Sequence, residues 1–207
     1  MKKFELTTES IETASGEKLF RIKALVSFDA VEAGELGGYV EKEENLSHEG
    51  NAWVYGNARV YGNARVYGNA WVYDNAQVYD NAQVYGNARV YGNARVHGNA
   101  RVHGNAWVYG NAWVYDNARV HGNAQVCGDA RVHGNAQVCG DADIYDNSQK
   151  SSVDGFGSEN RTTTFFREKS GGVGVKCGCF YGTLDEFREK VRKTHGDSEI
   201  AQEYLAI

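Results

Sequence analysis

The sequence predicts a mainly β protein whose middle half is a solenoid, and three observations carry that reading. A six-residue unit, Ala-x-Val-(Tyr/His/Cys)-(Gly/Asp)-(Asn/Asp), runs almost unbroken from Ala52 to about Asn147. Its period matches neither the 3.6 residues of a helix nor the strict alternation of an isolated strand, and a fixed short period is the mark of stacked repeats. Each unit holds one aliphatic and one small residue, which suits a narrow core, while Arg, Trp and Gln exchange freely before each Val.

The elements follow in chain order. Phe4-Glu5-Leu6 and Lys18-Leu19-Phe20-Arg21-Ile22-Lys23 read as a hairpin closed by the Ser15-Gly16-Glu17 turn, forming a β cap within residues 1–50. An open solenoid end needs such a cap, because unpaired backbone and exposed Val and Ala would otherwise recruit neighbouring molecules. Gly37-Gly38-Tyr39-Val40 and Asn45-Leu46-Ser47 form an irregular opening coil: Val40 and Leu46 keep the six-residue step, then two extra residues shift the register before Val54.

Residues 51–147 are the repeat. Val54 and its counterparts to Val138 and Ile144 point inward, with the Ala two residues earlier filling the space behind. Gly or Asp followed by Asn tolerates the tight, positive-φ backbone of a corner. Residues 148–207 form a different module. A Ser/Gly-rich stretch, Ser148 to Ser158, leads to two strands, Thr162–Arg167 and Val173–Phe180, around Ser170-Gly171-Gly172. Thr183-Leu184-Asp185-Glu186 is a capping box opening a helix with Leu184, Phe187 and Val191 on one face and Gly196 at its end. A second helix from about Ser198 to Leu205 completes a ββαα unit, expected to cover the solenoid end or mediate oligomerisation.

On these repeats the chain resembles the hexapeptide-repeat proteins. The resemblance implies a left-handed parallel β-helix with three units, about 18 residues, per triangular coil. Val54 to Ile144 then makes about five coils, a rod ~25 Å long at a strand spacing of ~4.8 Å. The opening segment with the repeat resembles YdcK-like proteins and repeat proteins encoded by bacteriophages and prophages, and the Cys-Gly-Cys-Phe-x-Gly-Thr-Leu-Asp-Glu-Phe string of the end module resembles one found in phage-type proteins.

With 207 residues, 42% hydrophobic content and a net charge of −5, the chain has room for a continuous core. No stretch approaches the ~20 apolar residues of a membrane span, and Met1-Lys2-Lys3-Phe4-Glu5 lacks the apolar run of a signal peptide, so a cytoplasmic location is expected. The four cysteines, Cys127, Cys139, Cys177 and Cys179, do not form a disulfide framework. The repeat carries mainly Arg while the acid gathers at the ends, so no global field for nucleic acid is indicated.

Stacking every third unit places Trp53, Trp71, Arg89 and Trp107 in one outward column, with Tyr55, Tyr73, Tyr91 and Tyr109 beside it. Such rigid aromatics with interleaved Arg are favoured at protein interfaces and on stacking platforms. They equally form ladders that stabilise the solenoid itself. Arg59, Gln77, Arg95, Trp113 and Arg131 occupy a second face, and Arg65, Gln83, Arg101, Arg119 and Gln137 a third. Rows of Arg suit a polyanion, although a solvated face is the simpler reading.

The hexapeptide acyltransferases use a His as general base, which makes His97, His103, His121 and His133 the residues to weigh, His103 and His121 above all because they should stack. Each merely replaces a Tyr of the repeat, and no loop interrupts the coils to enclose acyl-coenzyme A. Cys177 and Cys179, two apart on a strand and so facing one way, could be joined by His195 as three zinc ligands at most, short of the four of a structural site. The expected function is therefore a non-enzymatic structural or interaction protein, of phage or prophage type, offering the aromatic and Arg-rich face to a macromolecule. A protein is preferred over a nucleic acid as the partner, no membrane is involved, and a dimer or trimer remains open. An inhibitor of host defence and a virion or assembly component are two forms of it. No cofactor is expected. The alternatives are an acyltransferase taking acyl-coenzyme A and a carbohydrate-binding protein using the Trp column.

Overall fold

A computed structural model describes residues 1–156 and 159–206. Strands β1 (Phe4–Glu12) and β2 (Lys18–Ala24) form the antiparallel hairpin, with Phe4 opposite Ala24 and Leu6 opposite Ile22. Strand β3 (Leu36–Val40) adds antiparallel to β2 and then runs parallel to the first rung of the second solenoid face, Tyr39 facing Arg59. The hairpin sheet thus passes without a break into the solenoid.

Sixteen two-residue strands follow, from β4 (Trp53–Val54) to β19 (Asp143–Ile144), one in each hexapeptide. They stack in parallel into three sheets, and partners lie one coil apart in register: Trp53 on Trp71, Arg59 on Gln77, Arg65 on Gln83. With the opening coil the solenoid makes about 6 turns. Val40 pairs with Val60 and Leu46 with Val66, an offset two residues longer than in the regular coils, which is where the two extra residues go.

Every Ala and every Val of the repeat is fully buried, so the core is a stack of Ala and Val layers closed by Leu46 and Ile144. The side chain before each Val and the one after it lie outside this stack, and all but Trp53, Cys127 and Cys139 are at least partly exposed. Corners form because the Gly or Asp adopts positive φ, as at Gly110 (70°) and Asp116 (59°). Corner asparagines do more than fit the bend. They join into axial ladders, Asn63 to Asn81 to Asn99 to Asn117 to Asn135 and two like it, at 3.1 to 3.3 Å in this first ladder.

Backbone pairing between coils is directional. In the regular coils the amides of x, of Tyr or His, and of Asn donate to carbonyls one coil further on, as Trp71 does to Ala88, Tyr73 to Val90 and Asn75 to Gly92. The opening end therefore presents carbonyls and the closing end amides. Each end is met by the complementary group. The Lys3 ammonium, buried, donates to Gly50 O (3.2 Å) and Ala52 O (2.8 Å). At the other end Arg131 N donates to Asn147 Oδ1 and Gln137 N to Thr164 Oγ1.

The end module differs from the expected ββαα unit. It is a four-stranded antiparallel sheet, β20 (Lys150–Phe156), β21 (Arg161–Arg167), β22 (Val173–Cys177) and β23 (Phe180–Thr183), followed by α1 (Leu184–His195) and α2 (Glu199–Leu205). The Ser/Gly-rich stretch hides β20 because an edge strand needs few apolar side chains; Ser151 pairs with Phe165 and Ser152 with Thr164. The last two residues of that stretch, Gly157 and Ser158, lie outside the described residues. The expected single strand Val173–Phe180 is two, split by Gly178 at φ 55°. The capping box is present, Thr183 Oγ1 accepting from Glu186 N, and Phe187 and Val191 are buried with Val175, Ala201 and Tyr204 in a second small core. Phe166 instead joins the solenoid core, and Ala142 bridges Glu168, so this module covers the closing end.

Candidate functional site

The first face carries the column Trp53, Trp71, Arg89, Trp107, Gln125, Asp143, as the register demands. Beside it Tyr73 stacks on Tyr91 and Tyr91 on Tyr109, with centroids 4.7 and 4.9 Å apart and rings within 4° of parallel. Strand stacking sets both spacings, so the rings need no further device to align them. Trp53 is the exception. It is fully buried, edge-on to Phe4 and Phe28 of the cap, and thus belongs to the core and not to an accessible face. The cap reaches over the first rung because its hairpin sheet continues into the solenoid.

Tyr55 packs edge-on between Trp53 (6.4 Å) and Trp71 (5.4 Å). Burial, with Glu35 and Asp29 nearby, pushes its hydroxyl up to about 12. The Arg89 guanidinium lies between two indoles, 5.1 Å from Trp71 and 5.4 Å from Trp107. One π-face of each indole is thereby occupied from within, which leaves less ring face for a sugar to stack on. A groove of about 880 Å³ opens here, lined by Trp71, Tyr73, Arg89, the corner asparagines Asn75 and Asn93, and Ala30 of the cap loop. At the far end of the face Tyr109 hydrogen-bonds to Gln125 and to Cys127, and its hydroxyl is driven above the ordinary tyrosine value by burial and then by Cys127.

The second face repeats the theme. Trp113 is held between Arg95 (4.9 Å) and Arg131 (5.0 Å), and His97 stacks between Tyr79 and Tyr115. Burial lowers the His97 pKa, with Asp80 opposing. His133 stacks on Tyr115.

On the third face His103 and His121 do stack, 5.0 Å apart, with Tyr85 on the far side of His103. Burial and then the neighbouring His103, Lys176 and Arg119 push His121 down to about 4. Both imidazoles are therefore neutral at pH 7 and ring-stacked in a wall of like residues. One face of each ring is taken up by the other and Tyr85 covers the far face of His103, an arrangement unlike the convergence of dissimilar groups on a bound acceptor that general-base catalysis needs.

Cys127 and Cys139 stand where the repeat otherwise has Tyr or His. Both are buried, because Cys139 lies close to Lys176 and Tyr181 of the end module and Cys127 beside Tyr109. Cys177 and Cys179 do not share a strand face: Cys177 ends β22, and Cys179 is exposed in the Gly178 turn. His195 ends α1 stacked on Tyr204, 5.7 Å away. Among the described residues no three His, Cys, Asp or Glu side chains are placed to share a metal ion.

Sequence reasoning did not single out Lys3, Thr164 or Asn147 as end caps. The polarity of inter-coil pairing, once known, calls for a donor at one end and acceptors at the other, but nothing in the sequence marks which side chains supply them. No helix is long and apolar enough to cross a membrane among the described residues.

No curated protein matches the chain. The family model YdcK Beta solenoid repeat matches residues 52–66, 58–74, 82–98, 94–110, 106–122 and 124–140. These matches follow the same units that form the three stacked sheets, so the repeat region of this chain is similar to the YdcK β-solenoid repeat.

Proposed function

We propose that this protein is a non-catalytic binding scaffold whose first face engages a macromolecular partner, a protein. The observation that carries the reading is the groove where Arg89 sits between Trp71 and Trp107 under the cap loop. Its side chains are already ordered by axial stacking, so binding costs little further side-chain entropy, and Trp, Tyr and Arg are the residues on which binding energy concentrates. Uniform walls and stacked neutral histidines support a binding role over acyl transfer. The reading extends to the phage or prophage setting that the sequence resemblance implies, in the bacterial cytoplasm, as an inhibitor of host defence or an assembly component.

The test uses the purified chain as bait in bacterial lysate beside a Trp71→Ala/Trp107→Ala variant whose circular dichroism is unchanged. Trp53 is left intact because it is core. A protein retained by the first bait and lost by the second is the expected result; identical retention by both baits would remove the first face from the account.

A further inference from the structure

The three faces treat their arginines differently. Arg89, Arg95 and Arg131 lie against Trp rings. Arg65, Arg101 and Arg119 on the third face are exposed, and among the described residues none of them makes an ion pair or rests on a ring. Arg65 borders a recess shared with Glu43 and Glu44, so its charge is partly balanced. Arg101 and Arg119 are direct register partners outside that recess, and they stand one rung apart, ~4.8 Å. The adjoining column ends at Lys176 of the end module, whose ammonium, with Arg119, already bears on His121. Burial and then Arg119 and Arg101 depress His103 as well, which places both guanidinium groups near that ring.

We propose that Arg101, Arg119 and Lys176 form an anion-binding strip that takes an extended acidic segment of a protein partner. This deepens the binding reading above and rests on it. Geometry selects the occupant. From Arg65 to Gln137 the face spans four rungs, ~19 Å, and a strand of six residues is ~20 Å long. At ~13 Å wide the face offers roughly 250 Å², well below the ~800 Å² each partner contributes to a stable dimer, so a second copy of this chain is not the fit. Asp80 and Asp116 edge the strip on the corner before it, and Asp141 on the corner after it, all exposed. These carboxylates would repel a nucleic-acid duplex, whose phosphates spread wider than one face, yet leave a narrow chain its path between them. Guanidinium forks can then hold side-chain carboxylates in pairs.

The experiment is fluorescence anisotropy with labelled hexaglutamate, hexaglutamine and a single-stranded oligonucleotide as probes, at low and at physiological salt. Saturable binding of hexaglutamate alone is expected, weakening with salt and falling about tenfold in Arg101→Gln/Arg119→Gln, a variant with exposed substitutions whose fold is checked by circular dichroism. Absence of hexaglutamate binding, or binding unchanged in the double variant, would overturn the strip; tighter binding of the oligonucleotide would replace an acidic protein segment by nucleic acid. None of these outcomes touches the Trp71/Trp107 comparison, so failure of the strip and failure of the binding reading are told apart.

Discussion

At the scale of single residues, chemically identical side chains in one column have opposite roles. Trp53 is enclosed by Phe4 and Phe28, whereas Trp71 lines an open groove one rung later. Trp53→Ala should therefore cost about 3–5 kcal/mol in urea unfolding, the range for an emptied aromatic core site, and Trp71→Ala about 1 kcal/mol. Equal losses would mean that the cap does not seat on the first rung. The stacked histidines give a pH dependence with a definite sign. His121 has its folded pKa lowered from 6.5 to about 4, so between those values the unfolded chain binds the proton more readily. Stability is full above about pH 6.5 and declines as pH falls toward 4, and His103 and His97, also lowered, act in the same direction. Solvent screening at a partly exposed site limits the His121 share to the order of 1 kcal/mol. His121→Tyr, which restores the commoner residue of the repeat, should flatten the decline in a series of melts from pH 7 to 4; an unaltered slope would assign the effect elsewhere.

At the scale of elements, the corner and the end cap each depend on one backbone requirement. Gly110 has φ 70°, and a Cβ there would meet Gly128 N at 3.0 Å. Ala at this site should cost about 1–2 kcal/mol. Asp should cost less, because Asp74, Asp80 and Asp116 already occupy such corners with positive φ and accept from the amides of Gly92, Gly98 and Gly134 one coil on. Thermal melts of Gly110→Ala and Gly110→Asp order the two, and the reverse order would refute the corner bond. At the opening end, Lys3→Met strands the carbonyls of Gly50 and Ala52 and should destabilise by about 1–3 kcal/mol. The corners were legible in the sequence because the Gly/Asp-Asn pair recurs in every unit, as were the columns, the hairpin and the capping box at Thr183. Strand β20 was not, since its Lys-Ser-Ser-Val-Asp-Gly run has the composition of a loop and owes its form to pairing with β21. Nor was the burial of Trp53, which depends on where the cap comes to rest, a contact between segments with no periodic trace. The contrast between stacked and free arginines became visible only once each guanidinium could be placed against its neighbours.

At the scale of the whole molecule, near-identical units separate folding from surface design. Each coil contacts its neighbours through the same Ala and Val layers and the same inter-coil pairing, so stability follows from nearest-neighbour coil interfaces and little from which coil is which. The columns, by contrast, require that matching residues recur one full coil apart. Removing one unit, Ala94 to Asn99, leaves every inward Val and every corner in place but carries Trp107 off the first face onto the third. Removing a full coil, Ala94 to Asn111, deletes Trp107 while every later residue keeps its face, and Gln125 then follows Arg89. Both deletions should retain the circular dichroism of a β-solenoid and lose only a modest share of stability, comparable to one another within about 1 kcal/mol per unit removed. Their surfaces diverge. The six-residue deletion brings Trp113 onto the first face, where it becomes the new register partner of Arg89, and it carries the Arg101–Arg119 pair, still in register, onto the second face. A column built for binding therefore keeps an indole on either side of Arg89 after the six-residue deletion and loses one after the full-coil deletion. The acidic-probe site is lost with Arg101 in the full-coil variant, whereas the six-residue deletion keeps Arg101, Arg119 and Lys176 together, because all three follow the cut. Partner capture and hexaglutamate binding that both survive the six-residue deletion, and are both reduced by the full-coil deletion, are the expected pattern. Loss of β-solenoid dichroism after the six-residue deletion would show instead that the coils are not interchangeable and that cap and end module fix the register of everything between them.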